Sequence, residues 1–244
     1  MNKNSSIFVS VVALVVSVAA LIMSITAGQN KPVVTSGGNV EEVIKNNPQI
    51  ILNALQAAEQ QAREQQMANA QKMISDNLAA INNDAITPAI ANPNGSIVLV
   101  EFFDYSCGYC HKLYPALKNI MEKNPNVKVL AKPLDFLSPV SQYAAKASLA
   151  AKEQGKYAEM YNALFQAEGQ LSEAKVDEIA AGLGLDMGKY KADINSGNVN
   201  AAMAEIRDVA NKIQINGVPT MILNGKLLQT IDEGVIQEAI NQAK

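Results

Sequence analysis

The chain has 244 residues, enough for one or two domains with a sizeable core. Its formal net charge is only −3 and no long basic run is present, which argues against nucleic acid as a partner. The two cysteines share one motif, so they build no disulfide framework, and with a single histidine they fall short of the four ligands of a closed zinc site unless carboxylates or a second chain contribute.

In chain order, Lys3 precedes an apolar run, Ile7 to Ile25, broken only by Ser10, Ser17 and Ser24. This is an export segment, and two versions fit. A cleaved signal peptide has an apolar core of about 7–15 residues, a spanning helix about 20. The length favours an uncleaved anchor, whereas Thr26-Ala27-Gly28 is small enough for cleavage. Both versions place the rest of the chain outside the cytoplasm, in the periplasm, where disulfides persist. Residues 1–27 are thus a signal peptide or anchor, and residues 28–39, with Pro32, Gly37 and Gly38, a linker.

Residues 40–83 read as a helical region. Val40, Val43 and Ile44 open it, and Asn47 and Pro48 have the order of an N-cap and first helical residue. No Gly or Pro follows up to Asn83, and Ile51, Leu55, Ala58, Ala62, Met67, Ala70, Ile74, Leu78 and Ile81 recur at steps near three and four. About 36 residues at 1.5 Å each give a helix about 54 Å long, too long for one small domain to cover. The expected partner of the stripe is a second copy, most simply in a homodimer. Folding back onto the chain's own domain, or a solvated spacer rich in Gln, are the alternatives.

A second unit starts near Asp84, with turns at Thr87-Pro88 and Asn92-Pro93-Asn94-Gly95. Ile97–Phe103 reads as a buried strand and Gly108–Lys123 as a helix carrying Tyr109, Leu113, Leu117 and Ile120. A second strand, Val127–Ala131, completes a βαβ unit. A helical block follows over about 139–212. Thr220–Leu223, Asn224-Gly225 and Lys226–Gln229 form a hairpin, and Asp232 caps a last helix.

Chemistry concentrates in Cys107-Gly108-Tyr109-Cys110, between strand and helix. Cys107 falls at the helix N-terminus, where free N–H groups and the dipole favour an anion, so it is the expected nucleophile. Cys110 lies one turn on, close enough to resolve a mixed disulfide. A structural disulfide is a weaker reading, because so short a loop constrains the unfolded chain little. Cys107 to His111 also spells C-x-x-C-H, the c-type haem attachment pattern, with His111 as axial ligand. Otherwise His111 is a partly exposed helix residue near the pair. Glu101 is a carboxylate in a very apolar strand. Desolvation there suits proton exchange with Cys110, and a salt bridge with Lys132 is the competing reading.

The run Val100-Glu101-Phe102-Phe103-Asp104-Tyr105-Ser106-Cys107-Gly108-Tyr109-Cys110, with Gly217-Val218-Pro219-Thr220 far downstream, resembles the DsbA family of exported disulfide oxidoreductases. Ile44 to Ile51 resembles the N-terminal extension of oligomeric, ScsC-like members. The resemblance implies an α/β thioredoxin fold with an inserted helical block, preceded by a long N-terminal helix. It implies Cys107 as nucleophile and Cys110 as resolving thiol. It makes Pro219 a cis-proline facing the disulfide, Glu101 the acidic residue beneath the site, and Val218, Tyr109 and Thr220 residues beside the client. No cofactor is implied. The implied partners are cysteine-containing exported proteins and a membrane redox protein that resets the pair. The dipeptide between the cysteines is Gly-Tyr, where strongly oxidising DsbA proteins carry Pro-His. The expected function is formation or isomerisation of disulfides in exported proteins, the alternative a holdase whose cysteines are incidental.

Overall fold

The computed structural model describes residues 40–243. The apolar segment Ile7–Ile25 and the linker at 28–39 lie outside the described residues. No helix among the described residues is long and apolar enough to cross a membrane.

The chain divides into two compact units between Gln66 and Met67. In the first, α1 (Val40–Asn46) precedes the opening turns of α2 (Pro48–Asp76). Asn47 stands immediately before Pro48, the first residue of α2, in the expected order, and its Nδ2 donates to the Val43 carbonyl at 3.0 Å, satisfying an open acceptor at the end of α1. Val43, Ile44, Ile50, Ile51, Leu52 and Leu55 are all exposed in this unit.

In the second unit the expected continuous helix breaks at Asn77, whose Nδ2 donates to Met73 O at 2.8 Å, and α3 (Leu78–Ile81) follows. Ile74 and Ile81 are buried in the main core. The C-terminal part of the apolar stripe therefore folds back on its own unit, while the exposed apolar residues lie further towards the N-terminus. A side-chain bond from Gln71 Nε2 to Gly225 O at 2.5 Å adds to this docking.

The sheet order is β1-β3-β2-β4-β5, with β1 (Ala89–Ala91), β2 (Ile97–Phe103), β3 (Val127–Pro133), β4 (Thr220–Leu223) and β5 (Lys226–Leu228). β2 runs parallel to β3 and antiparallel to β4. The three-residue edge strand β1 carried no periodic signal, being too short to alternate. Between β2 and β3 lies α4 (Gly108–Lys123). The insert is α5 (Pro139–Lys152), α6 (Tyr157–Gln166), α7 (Glu173–Gly182), α8 (Met187–Ile194) and α9 (Gly197–Lys212). Four of its five helices start on Ser or Asp side chains: Ser138, Ser172, Asp186 and Ser196 each accept a backbone N–H of the first turn. The Asn224-Gly225 turn has φ of 46° and 77°, the double left-handed turn that a tight hairpin needs. After β5, Asp232 caps α10 (Glu233–Gln242). This is the expected thioredoxin arrangement with its helical insert.

The order places the site. Phe102 pairs with Thr220, so the C-terminal end of β2 lies beside the start of β4. Whatever leaves β2 there meets whatever enters β4.

Candidate active site

Cys107 is the N-cap of α4, in extended conformation, and its Sγ accepts the backbone N–H of Cys110 at 3.4 Å. A thiolate at this position receives that donor and the positive end of the helix dipole together. The Cys107 side chain also reaches across to the preceding loop of β4, donating to Val218 O at 3.3 Å. The Val218–Pro219 bond is cis. Both thiols are free. Cys107 is 7% exposed and Cys110 fully buried, so only one sulfur of the pair can be approached from solvent. Burial pushes the Cys110 thiol well up. The Asp104 backbone opposes this, and the charges of Glu101 and Cys107 add to it.

Glu101 is fully buried in β2. Desolvation raises its carboxyl to about 7, partly offset by a hydrogen bond from Tyr161 Oη to Oε2 at 2.7 Å. Its other oxygen, Oε1, has no hydrogen-bond partner among the described residues. The alternative pairing with Lys132 does not form. In the parallel register Glu101 aligns with Ala131 and Lys132 with Phe102, so the two side chains leave opposite faces of the sheet. Lys132 Nζ donates instead to Asn83 O at 3.0 Å and Thr87 Oγ1 at 3.2 Å.

The remaining expected residues are spread around the pair. Tyr109 is 62% exposed, with Lys112 over its ring, and so leaves the apolar stripe of α4 on which its spacing placed it. Val218 is half-buried. Thr220 donates its hydroxyl to Gly217 O at 2.8 Å, closing the loop around Pro219. His111 sits under the catalytic loop, its Nε2–H donating to Tyr105 O at 2.8 Å and its ring packed edgewise on Phe165. That commits the imidazole nitrogen a haem iron would take.

Two participants had no assigned role in the sequence. Asp104 is buried and its carboxylate accepts Ser106 N at 2.8 Å, Ser141 Oγ at 2.6 Å and Leu137 N at 3.2 Å. It thereby ties the turn before Cys107 to α5 and to the loop that exposes Phe136 and Leu137. A lone Asp between a strand and a C-x-x-C was its only signal. Tyr161 lies on α6, 60 residues from Glu101, and nothing in sequence connects the two.

With this geometry in place, comparison with known proteins defines the class. The DSBA-like thioredoxin domain family matches residues 98–241, and the chain belongs to that family. Its general chemistry is thiol–disulfide exchange. The chain is 30% identical over 146 residues to the thiol:disulfide interchange protein DsbA of Pseudomonas aeruginosa, covering 57% of this chain and 69% of that protein. It is also 30% identical over 132 residues to the Na(+)/H(+) antiporter NhaA 1 of Salinispora arenicola, covering 53% of this chain but only a fifth of that much longer protein, 20%. Among solved structures, a thioredoxin-like oxidoreductase from Silicibacter pomeroyi superposes with a TM-score of 0.64 at 32% identity, over 68% of this chain and 96% of that one. A linker-deleted Proteus mirabilis ScsC superposes with a TM-score of 0.69 at 22% identity, over 85% and 97%, and shares the fold.

Proposed function

We propose that the chain is an exported, periplasmic thiol–disulfide oxidoreductase that forms and isomerises disulfides in other proteins through Cys107 and Cys110. The observation that carries this reading is the Cys107 sulfur at a helix N-cap, opposite the cis Val218–Pro219 bond, with a buried second thiol behind it. A client thiolate attacks Cys107 Sγ of the Cys107–Cys110 disulfide. A mixed disulfide forms and Cys110 leaves as thiolate, taking a proton from Glu101. A second client thiolate attacks the client sulfur of that mixed disulfide. The client is oxidised, the pair is reduced, and a membrane redox protein resets it. In isomerisation or reduction the dithiol starts the reaction, and Glu101 takes the Cys110 proton.

Tyr109, Phe136 and Leu137 are exposed apolar side chains near the pair, and Val218 lines the loop opposite Cys107. These fit an unfolded client chain better than a small thiol. Pro219 carries no N–H, so the loop presents acceptors there. Self-association through residues 40–66, most simply as a homodimer, would set two such sites on one client, which favours isomerisation. Tethering through residues 7–25 belongs to the same reading.

The test is insulin reduction together with reactivation of a scrambled disulfide protein. Loss of both activities when both cysteines are replaced is the expected result. A holdase would still suppress client aggregation at full strength and would show no cysteine-dependent turnover in the native protein. The in-cell state of the pair, read by thiol alkylation, then separates the directions: disulfide for an oxidase, dithiol for an isomerase or reductase.

Glu101 adds a pH signature to stability. Its carboxyl titrates near 4.5 in the unfolded chain and near 7 when folded. Between these values folding takes up a proton, so this group stabilises the fold below about 4.5 and the effect is lost as pH rises through about 7. The difference is on the order of 3 kcal/mol. Urea melts of the dithiol form at pH 5 and pH 7.5 are expected to show Glu101→Gln removing most of this dependence. An unchanged slope would show that the carboxyl is not held as described.

A further inference from the structure

We infer that Tyr161 is a positioning residue for thiol exchange: through its hydroxyl, the helical insert fixes Glu101 so that one carboxylate oxygen is held and the other is left to serve Cys110. The inference rests on the proton-transfer reading of Glu101. Tyr161 is fully buried on α6, and its hydroxyl donates to Glu101 Oε2 at 2.7 Å. Its ring cannot easily move. Phe103 packs edge-on at 5.2 Å and Phe165 at 4.8 Å between centroids, while Tyr105 and Tyr114 tilt against it at 6.5 and 6.1 Å. A donor fixed in this way selects one carboxylate orientation. Oε1 is left buried and without a partner among the described residues. A carboxylate with one donor in an apolar cage is less stable than an apolar pair of the same volume, so a purely architectural role would be better filled by two hydrocarbons.

The titratable groups that bear on Glu101 come from three elements. Cys110 lies on α4, Tyr105 on the loop after β2, and Tyr157 and Tyr161 on α6. Lys132 leaves the opposite face of the sheet. Burial keeps all three tyrosines neutral well above their ordinary range. Cys110 is therefore the group with which Glu101 can trade a proton, and Tyr161 acts on that exchange as a neutral donor to the carboxylate.

The two steps can be read separately in the reduced protein with 5,5′-dithiobis(2-nitrobenzoate). The Cys107 thiolate attacks the reagent disulfide, releasing one thionitrobenzoate and leaving a mixed disulfide. Cys110 then gives its proton to Glu101 and attacks Cys107 Sγ, forming the Cys107–Cys110 disulfide and releasing the second thionitrobenzoate. In the native protein the second phase is expected to rise with pH through the Glu101 titration. Tyr161→Phe removes the donor and moves that midpoint up by about one pH unit, leaving the first phase unchanged. Adding Tyr161→Phe to Glu101→Gln should change nothing further.

If Glu101→Gln leaves the second phase intact, the proton-transfer reading itself fails. If Glu101→Gln slows that phase but Tyr161→Phe leaves the midpoint in place, the inference about Tyr161 fails alone. Equal slowing of both phases by Tyr161→Phe would show a merely structural side chain and overturn it as well. Should Tyr161→Phe not fold, replacement of Tyr161 by 3-fluorotyrosine keeps the ring and strengthens the donor. The midpoint is then expected to fall, and an unmoved midpoint overturns the inference.

Discussion

Replacing Cys110 with Ala is expected to leave Cys107 trapped in mixed disulfides with its clients, visible as bands that disappear on reduction. The reason is proximity. Cys110 stands one helical turn from Cys107, its backbone N–H on the Cys107 sulfur. A thiol held in this way competes with external thiols as an intramolecular group, and effective molarities of well-oriented groups reach about 10⁵ M or more. Against millimolar glutathione, the lifetime of the mixed disulfide should rise by on the order of 10³-fold or more. Cys107→Ala should do the opposite. No client bands form and turnover ceases, because Cys110 is fully buried with its thiol pushed well up by that burial. Alkylation at mildly acidic pH should label Cys107 first. Client bands on Cys110 in the Cys107→Ala protein would reverse the assignment.

The second large effect concerns the N-terminal region. A chain beginning at Met67 is expected to fold, to be monomeric in sedimentation, and to keep or increase direct oxidation of an unfolded client, which needs one site. Reactivation of a scrambled protein should fall severalfold, because two sites no longer meet one chain. The exposed residues Ile51 and Leu55 stand four apart on α2, a spacing that pairs helices. Cutting further, at Asp84, should be far more damaging. It removes Ile74 and Ile81 from the core, and each large-to-small loss of this kind costs about 2–5 kcal/mol. A Met67 chain that still self-associates, or one that isomerises as well as the longer protein, would dismiss the role given to residues 40–66.

The sequence alone carried the strand, helix and hairpin order, the extent of the helical insert, and the place of Cys107 and Cys110. Those features are local. Hydrophobic periodicity, capping side chains and the Asn-Gly turn act within a few residues, and a C-x-x-C after a strand lands at a helix N-terminus by chain geometry. The edge strand Ala89–Ala91 escaped, because three residues show no period. The tertiary structure decided the rest. Register alone sent Lys132 to the face opposite Glu101 and left that carboxylate to a tyrosine 60 residues away. Packing alone turned Ile74 and Ile81 into the core, whereas Leu55, on the same stripe, remains exposed. Both outcomes depend on which surfaces meet across long stretches of chain, which neither periodicity nor spacing encodes.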